Sequence, residues 1–141
     1  MKNVPANCMC CSKVTLHKQK FVVKGFGIFK CSGCGLGSTK VNSTFNSKNI
    51  YDKSYFNGGQ NDGYSNYLDS EEILKIEFNA IKKNILKFKP KLGAKLLEIG
   101  CAYGFFLETV NSLFNISGIE MCDHAVNVCK EKGLNVFNAD E

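Results

Sequence analysis

Four of the eight cysteines form two Cys-x-x-Cys pairs near the N-terminus, with the 19 residues from 12 to 30 between them. This spacing is typical of zinc sites. Four thiolates complete a closed tetrahedral site, which stabilises a fold and leaves no open position for catalysis. We therefore predict a zinc ribbon over residues 1–41, with a structural zinc ion held by Cys8, Cys11, Cys31 and Cys34.

Two further side chains near these pairs could ligate an ion. Cys10 could replace Cys11 in another register, and His17 is a possible nitrogen ligand. Because four cysteines already complete the site, we interpret His17 as an ordinary exposed strand residue. The alternative for the whole segment is a degenerate ribbon with unpaired thiols.

A second set of residues in the C-terminal half suits an adenosine-containing ligand. Gly100, which begins a Gly-x-x-x-Gly loop ending at Gly104, lets the backbone turn sharply and approach a ligand without a Cβ in the way. A carboxylate at Glu120 can accept hydrogen bonds from both hydroxyls of a ribose, and Asp140 can accept one from an adenine amine. A dinucleotide site uses Gly-x-Gly-x-x-Gly to seat a pyrophosphate, whereas here Tyr103 precedes the second glycine, so the loop favours a ligand without phosphate.

The elements that must position these residues alternate along the chain. Short apolar segments at 96–99, 116–120 and 134–137 predict strands, and the patterns at 105–114 and 123–132 predict helices. A β-α-β-α-β order predicts a parallel sheet with right-handed crossovers. Ligands bind at the carboxyl ends of such strands, so we expect the glycine loop and the two acids to converge on one crevice.

A helix is predicted before this unit. Asp69 and Glu72 have the spacing of a capping box, and Pro90 ends the pattern. The residues expected on its apolar face are Ile73, Ile76, Ala80, Ile81, Ile85 and Phe88. Residues 42–67, rich in Asn, Ser, Gly and Tyr, are predicted to be a linker or covering segment, and residues 68–141 are assigned to the α/β domain.

The segment Leu96-Leu-Glu-Ile-Gly-Cys-Ala-Tyr-Gly-Phe-Phe-Leu107 resembles motif I of the class I S-adenosylmethionine-dependent methyltransferases. Gly118-Ile-Glu120 resembles the motif whose acid binds the ribose, and Asn138-Ala-Asp140 resembles the motif on the adenine side. The resemblance implies a Rossmann-like methyltransferase domain and a methyltransferase activity. It also implies a cofactor site formed by Glu98, Gly100, Cys101, Ala102, Gly104, Glu120, Met121 and Asp140.

A zinc ribbon followed by a Tyr-rich stretch and a methyltransferase domain is itself similar to a family arrangement. The segment Tyr51-Asp-Lys-Ser-Tyr55-Phe56, with Tyr64 and Tyr67, resembles the part that covers the cofactor site in relatives. Simple packing against the domain is the alternative interpretation of these tyrosines. By the same resemblance the methyl acceptor is a small molecule, such as a sugar or polysaccharide precursor, in preference to nucleic acid. The sequence assigns no catalytic residue and no oligomeric state.

Composition bounds the remaining possibilities. The chain has 18 Lys and no Arg, which is typical of AT-rich coding, so the formal charge of +5 does not by itself establish a phosphate-bearing partner. The apolar runs are too short to span a membrane, and the N-terminus lacks the apolar core of a secretory signal, so we expect a cytoplasmic protein.

The resemblance also implies a larger sheet than this chain provides. We expect a fragment that carries the first half of the domain, lacks methyl transfer and binds the cofactor weakly if at all. The alternative function is a nucleic-acid or protein binding module, in which the ribbon binds through its lysines and the α/β part is vestigial. A non-functional gene remnant is the third possibility.

Overall fold

The computed structural model describes residues 2–40, 45–59 and 63–139. The chain is a mixed α/β protein with a four-stranded antiparallel sheet and a three-stranded parallel sheet. It divides into two compact units, Met1–Phe45 and Asn46–Glu141. None of the helices in the described ranges is long and apolar enough to cross a membrane.

The N-terminal unit is an antiparallel sheet in the order β1-β2-β3-β4. Its strands are β1 (Asn3–Cys8), β2 (Lys13–Val23), β3 (Phe26–Cys31) and β4 (Gly37–Lys40). The β-type runs at 15–23 and 26–30, which predict strands from the sequence alone, correspond to β2 and β3. The edge strands β1 and β4 were not predicted, because Pro5 and Gly37 are unfavourable in strands and are tolerated mainly at sheet edges.

One face of this sheet is closed and the other is open. Cys8, His17, Phe29 and Cys31 are buried on the inner face. Lys24 and Gly25, both at positive φ, form the two-residue turn between β2 and β3. The buried apolar side chains of the described part of this unit are Cys8, Phe29 and Cys31, and two of these three are cysteines. Packing alone therefore provides little stability for this unit.

The second unit begins with three short 3-10 helices, Ser47–Asn49, Lys53–Phe56 and Leu68–Ser70. The carboxylate of Asp52 caps the second of them by accepting hydrogen bonds from the backbone N–H groups of Ser54 and Tyr55. Phe56 and Tyr67 are buried in an aromatic cluster that includes Tyr103. The predicted linker is therefore a packed segment over its described residues.

Helix α1 spans Glu71–Leu86, and its N-cap position is Ser70, one residue after the predicted cap, Asp69. Its packed side is formed by Leu74, Phe78 and Ile85. Ile85 of the predicted apolar face packs against the core as expected. The prediction is wrong for Ile73, Ile76 and Phe88, whose side chains are 66%, 72% and 87% exposed. Apolar residues lie on two sides of this helix. Periodicity alone cannot show which of the two sides packs against the neighbouring elements.

The parallel sheet has the order β5-β6-β7. Its strands are β5 (Ala94–Ile99), β6 (Phe114–Glu120) and β7 (Val136–Asn138), connected by α2 (Phe105–Val110) and α3 (Asp123–Glu131). The predicted β-α-β-α-β alternation is confirmed. Helix α2 ends four residues earlier than predicted, because the next residues form the turn that leads into β6 at Phe114.

The two faces of this sheet differ in cover. Leu107 and Val110 of α2 and Cys129 of α3 are buried with Ile116 and Val136 on one face. On the other face Leu97, Ile99 and Phe137 are 56%, 79% and 47% exposed. The helices therefore cover one face only, within the described residues.

Candidate functional site

The four predicted zinc ligands converge in the N-terminal unit. The ligand atoms of Cys8, Cys11, Cys31 and Cys34 all lie within 4.8 Å of one another. The Sγ atoms of Cys8 and Cys34 are 3.5 Å apart, and those of Cys11 and Cys31 are 3.9 Å apart. A tetrahedral zinc ion with bonds of about 2.3 Å requires sulfurs about 3.8 Å apart. The cluster could therefore hold a metal ion such as zinc.

The two cysteine pairs lie in two backbone turns of the same kind. The N–H of Ser12 donates to the Cys8 carbonyl at 2.8 Å, and the N–H of Gly35 donates to the Cys31 carbonyl at 3.0 Å. Ser12 and Gly35 both have positive φ, 53° and 82°. This turn brings the two thiols of a pair to the same side, so each Cys-x-x-Cys sequence supplies two ligand atoms.

A short chain of polar groups supports the Cys31 thiol. The Thr15 hydroxyl lies 3.1 Å from Cys31 Sγ and 3.1 Å from His17 Nε2, and the N–H of Gly33 donates to the same sulfur at 3.3 Å. The hydrogen bond from Thr15, together with backbone N–H groups, lowers the pKa of Cys31 to about 5. The thiolate that a metal ion requires is thus favoured at this position.

Two expectations about neighbouring residues are resolved by this geometry. Cys10 is exposed and lies outside the cluster, so the register with Cys11 is the one that the fold adopts. The expectation that His17 is exposed is wrong, since only 4% of its surface is accessible. Its strand position faces the cluster, and its ring contacts Thr15 beside the ligands.

The glycine loop between β5 and α2 has an unusual backbone. Gly100, Ala102 and Gly104 have positive φ values of 77°, 47° and 76°. A Cβ at Gly100 would meet no atom within 4 Å, whereas one at Gly104 would lie 2.4 Å from Leu134 Cδ1. Gly104 is therefore required for packing of the loop on the domain, and Gly100 leaves open space at the end of β5.

Glu120 joins this loop to the end of β6. Its Oε2 atom accepts a hydrogen bond from the N–H of Ala102 at 2.9 Å. Its Oε1 atom accepts from the N–H groups of Met121 and Cys122 at 2.7 and 2.9 Å. A carboxylate has about four acceptor positions, so Oε2 retains one for a ligand. These three hydrogen bonds hold the Glu120 carboxylate at the carboxyl end of β6, where 7% of the residue surface is exposed.

A cleft of about 350 Å³ opens at this edge of the sheet. Its polar end is formed by Gly100, Ala102, Glu120 and Met121, and Ala139 lies at the end of β7. Its other wall is aromatic. The lining rings belong to Tyr51, Tyr55, Phe56, Tyr64 and Tyr67.

The aromatic wall is anchored to the glycine loop. The ring of Phe56 lies 5.0 Å from that of Tyr103, and Tyr67 stacks on Phe105 at 5.4 Å. Burial raises the pKa of Tyr67 above its ordinary value, so its phenol stays protonated at neutral pH. Tyr103, whose position before Gly104 disfavours a dinucleotide, also packs against the ring of Phe56.

Glu98 lies outside the set of residues that line the cleft. Burial first, and then the Glu120 carboxylate, raises the pKa of Glu98 to about 7. Its Oε2 atom is buried without a hydrogen-bond partner in the described part of the chain. The pKa of Glu98 therefore lies close to neutral pH. Glu98 directly precedes Ile99, which lines the cleft.

The remaining predicted cofactor residues are placed as follows. Cys101 is 3% exposed and its sulfur points into the domain, where contact with Cys129 and burial raise its pKa. Gly104 lies at the start of α2, away from the cleft lining. Asp140 lies outside the described residues.

Cys129 was not singled out from the sequence. Its thiol donates to the Ala102 carbonyl at 3.2 Å, which ties α3 to the glycine loop. The only signal in the sequence was a cysteine on the apolar side of a predicted helix, and such cysteines are usually core residues.

Comparison with known proteins assigns no family: no protein-family model matches the chain, and no curated protein matches it. Function is therefore inferred from the cysteine cluster and the cleft at Glu120.

Proposed function

We propose that the cleft at Glu120 binds S-adenosylmethionine, as the cofactor-binding part of a class I methyltransferase. The acceptor that we propose is a small molecule, such as a sugar or polysaccharide precursor. The observation that carries the proposal is the meeting of Gly100, Ala102 and Glu120 at one sheet edge beside a ligand-sized cleft. By the same proposal, Glu98 lies on the methionine side of the bound cofactor.

Charge in the cleft supports this ligand over a nucleotide. Glu120 is the charged side chain among the described lining residues, and neither Lys nor Arg is among them. A pyrophosphate would be repelled by this carboxylate. The sulfonium and ammonium groups of S-adenosylmethionine would be attracted by it, and by Glu98 when that group is ionised.

The aromatic wall supports the same ligand. The rings of Tyr55, Tyr64 and Tyr67 provide flat apolar surface for an adenine base, and aromatic faces also attract a sulfonium cation. The spare acceptor position on Glu120 Oε2 suits one ribose hydroxyl. The second hydroxyl would compete with a backbone N–H for Oε1.

Because the sulfonium is chemically activated, the protein mainly has to position the two substrates for in-line attack. No described side chain at the cleft is assigned as a base for the acceptor. For the cysteine cluster we propose a structural zinc ion, because all four ligand positions are filled by protein sulfur.

The proposal is tested by titrating S-adenosylhomocysteine into the zinc-loaded, ¹⁵N-labelled chain to millimolar concentration. We expect saturable amide shifts centred on Gly100, Ala102 and Met121. Glu120→Gln removes the negative charge and weakens the acceptor, so we expect at least a tenfold higher Kd. Glu131→Gln, on the exposed side of α3, is the matched control and should leave Kd unchanged.

Shifts spread over the whole chain, or the same Kd for Glu120→Gln, would contradict binding at this cleft. An absence of saturation at millimolar ligand would contradict the proposal for this chain.

A further inference from the structure

The outer face of the antiparallel sheet collects lysines and exposed phenylalanines. Residues 1–40 contain seven Lys and no acid. The strand register places Lys18 opposite Lys30, and Phe21 opposite Ile28. Cross-strand partners share a face, and so do alternate residues of β3. Lys18, Lys30, Phe21 and Phe26 therefore lie on one face, which we call the lysine–phenylalanine face.

The side chains of this face lie on the opposite side of the sheet from those of His17 and Cys31. Cys31 and His17 are buried on the inner side, while their sequence neighbours Lys30 and Lys18 are exposed on the outer side. A metal ion at the cluster would therefore hold these lysines in place through the backbone. The face belongs wholly to the N-terminal unit and shares no residue with the cleft at Glu120.

The arrangement of charge on this face does not serve the stability of the sheet. Like charges directly opposite each other on neighbouring strands are destabilising. A third lysine, Lys20, lies at the register shift of β2 and lines a shallow depression of about 280 Å³ together with Lys18 and Lys30. None of these three lysines makes an ion pair within the described residues. The depression therefore concentrates unneutralised positive charge.

The aromatic side chains extend from this depression along the sheet. Phe21 is 67% exposed and Phe26 is 40% exposed. The neighbouring strand β4 has small side chains on this face, with Gly37 opposite Lys30 and Thr39 opposite Ile28. The phenylalanine and lysine side chains therefore project beyond those of β4. From Lys18 to Val23 the face runs for roughly 16 Å at about 3.3 Å per residue.

We propose that the lysine–phenylalanine face binds single-stranded nucleic acid. The lysines at the depression would contact backbone phosphates, and Phe21 and Phe26 would stack on successive bases. Exposed aromatic side chains on an antiparallel sheet accommodate two or three unpaired bases in this way. A duplex stacks its base pairs and hides the faces of its bases, so exposed phenylalanine rings favour unpaired bases. The proposal does not depend on the function of the cleft.

The test is fluorescence anisotropy of a labelled 12-nucleotide oligouridine with the zinc-loaded full chain, at 25 to 200 mM NaCl. We expect binding that weakens with salt, with a log–log slope of about −2 for three phosphate contacts. The double variant Lys18→Gln with Lys30→Gln should raise Kd at least tenfold and make the slope shallower by about 1.4. The variant Phe21→Ser should raise Kd at least fivefold and leave the slope unchanged.

The matched control removes the same charge from the second unit, with Lys83→Gln and Lys91→Gln, and should change Kd less than twofold. Zinc content and circular dichroism confirm that each variant is folded. The proposal would be overturned if the control variant lost binding or if Phe21→Ser left Kd unchanged. Equal affinity for a 12-base-pair duplex would also overturn it. Absence of binding at 25 mM NaCl would also overturn it.

Discussion

The carboxyl group of Glu98 is partly withdrawn from water beside a second acid. Its pKa is raised to about 7 from an ordinary value of 4.5 by burial and by Glu120. Below pH 4.5 the group is neutral in both the folded and the unfolded chain. As pH rises from 4.5 to 7 the unfolded chain loses this proton first, so the contribution of Glu98 to stability is progressively lost.

Glu98→Gln should therefore stabilise the protein in a pH-dependent way. At pH 8 we expect the free energy of unfolding to rise by about 1–2 kcal/mol, a value reduced from the full shift because the group is partly solvated. At pH 5 the variant and the parent should differ little. Urea unfolding followed by tyrosine fluorescence measures this, since all five tyrosines lie in the second unit.

The control is Glu131→Gln on the exposed surface, which should change stability by less than about 0.5 kcal/mol at either pH. A Glu98→Gln variant that is less stable than the parent at pH 8 would show that the ionised carboxylate has a favourable partner.

At the level of elements, the turn from β5 into α2 depends on Gly104. A Cβ there would lie 2.4 Å from Leu134 Cδ1 and 3.1 Å from Cys129 Sγ, at a φ of 76°. Gly104→Ala combines the strain of a left-handed backbone with overpacking. We therefore expect the free energy of unfolding to fall by about 2–4 kcal/mol.

Gly133→Ala is the matched control, because its φ is 75° and its Cβ would meet no atom within 4 Å. It should cost only about 1 kcal/mol. Equal losses for the two variants in urea unfolding would show that Leu134 and Cys129 move aside, and that the close approach at Gly104 is not required.

Elements with strong local patterns were predictable and those fixed by distant contacts were not. The parallel sheet followed from apolar runs that end at Gly100 and Glu120. The cysteine cluster followed from spacing. The packed side of α1 did not follow, because Ile76 and Phe78 are both apolar and only tertiary packing selects Phe78. The burial of His17 depends on strand register, which the local sequence does not encode.

The site shows the same division. The meeting of Gly100 with Glu120 could be predicted from strand ends. The hydrogen bond from Cys129 to the Ala102 carbonyl could not, since it joins residues of separate elements through tertiary packing.

At the scale of the whole molecule, the two units draw on different sources of stability. The second unit has two clusters of buried side chains, whereas the N-terminal unit buries Cys8, Phe29 and Cys31 with His17. Metal binding should supply most of the folding free energy of the smaller unit.

A strong chelator should therefore abolish the dispersed amide signals of β1 to β4 and leave the tyrosine-monitored transition of the second unit unchanged. Cys31→Ser should lose bound zinc, while Cys10→Ser, which alters an exposed thiol outside the cluster, should keep one zinc per chain. Persistence of the ribbon signals in chelator, or equal zinc loss in both variants, would contradict a structural metal site.

We propose that the cleft at Glu120 takes an adenosine ligand without phosphate. The most direct measurement is equilibrium dialysis of radiolabelled S-adenosylmethionine against the zinc-loaded chain, with competitors. We predict displacement by S-adenosylhomocysteine and by adenosine at higher concentration, and none by ATP or NAD at equal concentration, because Glu120 repels phosphate. Displacement by ATP or NAD as effective as that by S-adenosylhomocysteine would contradict the claim.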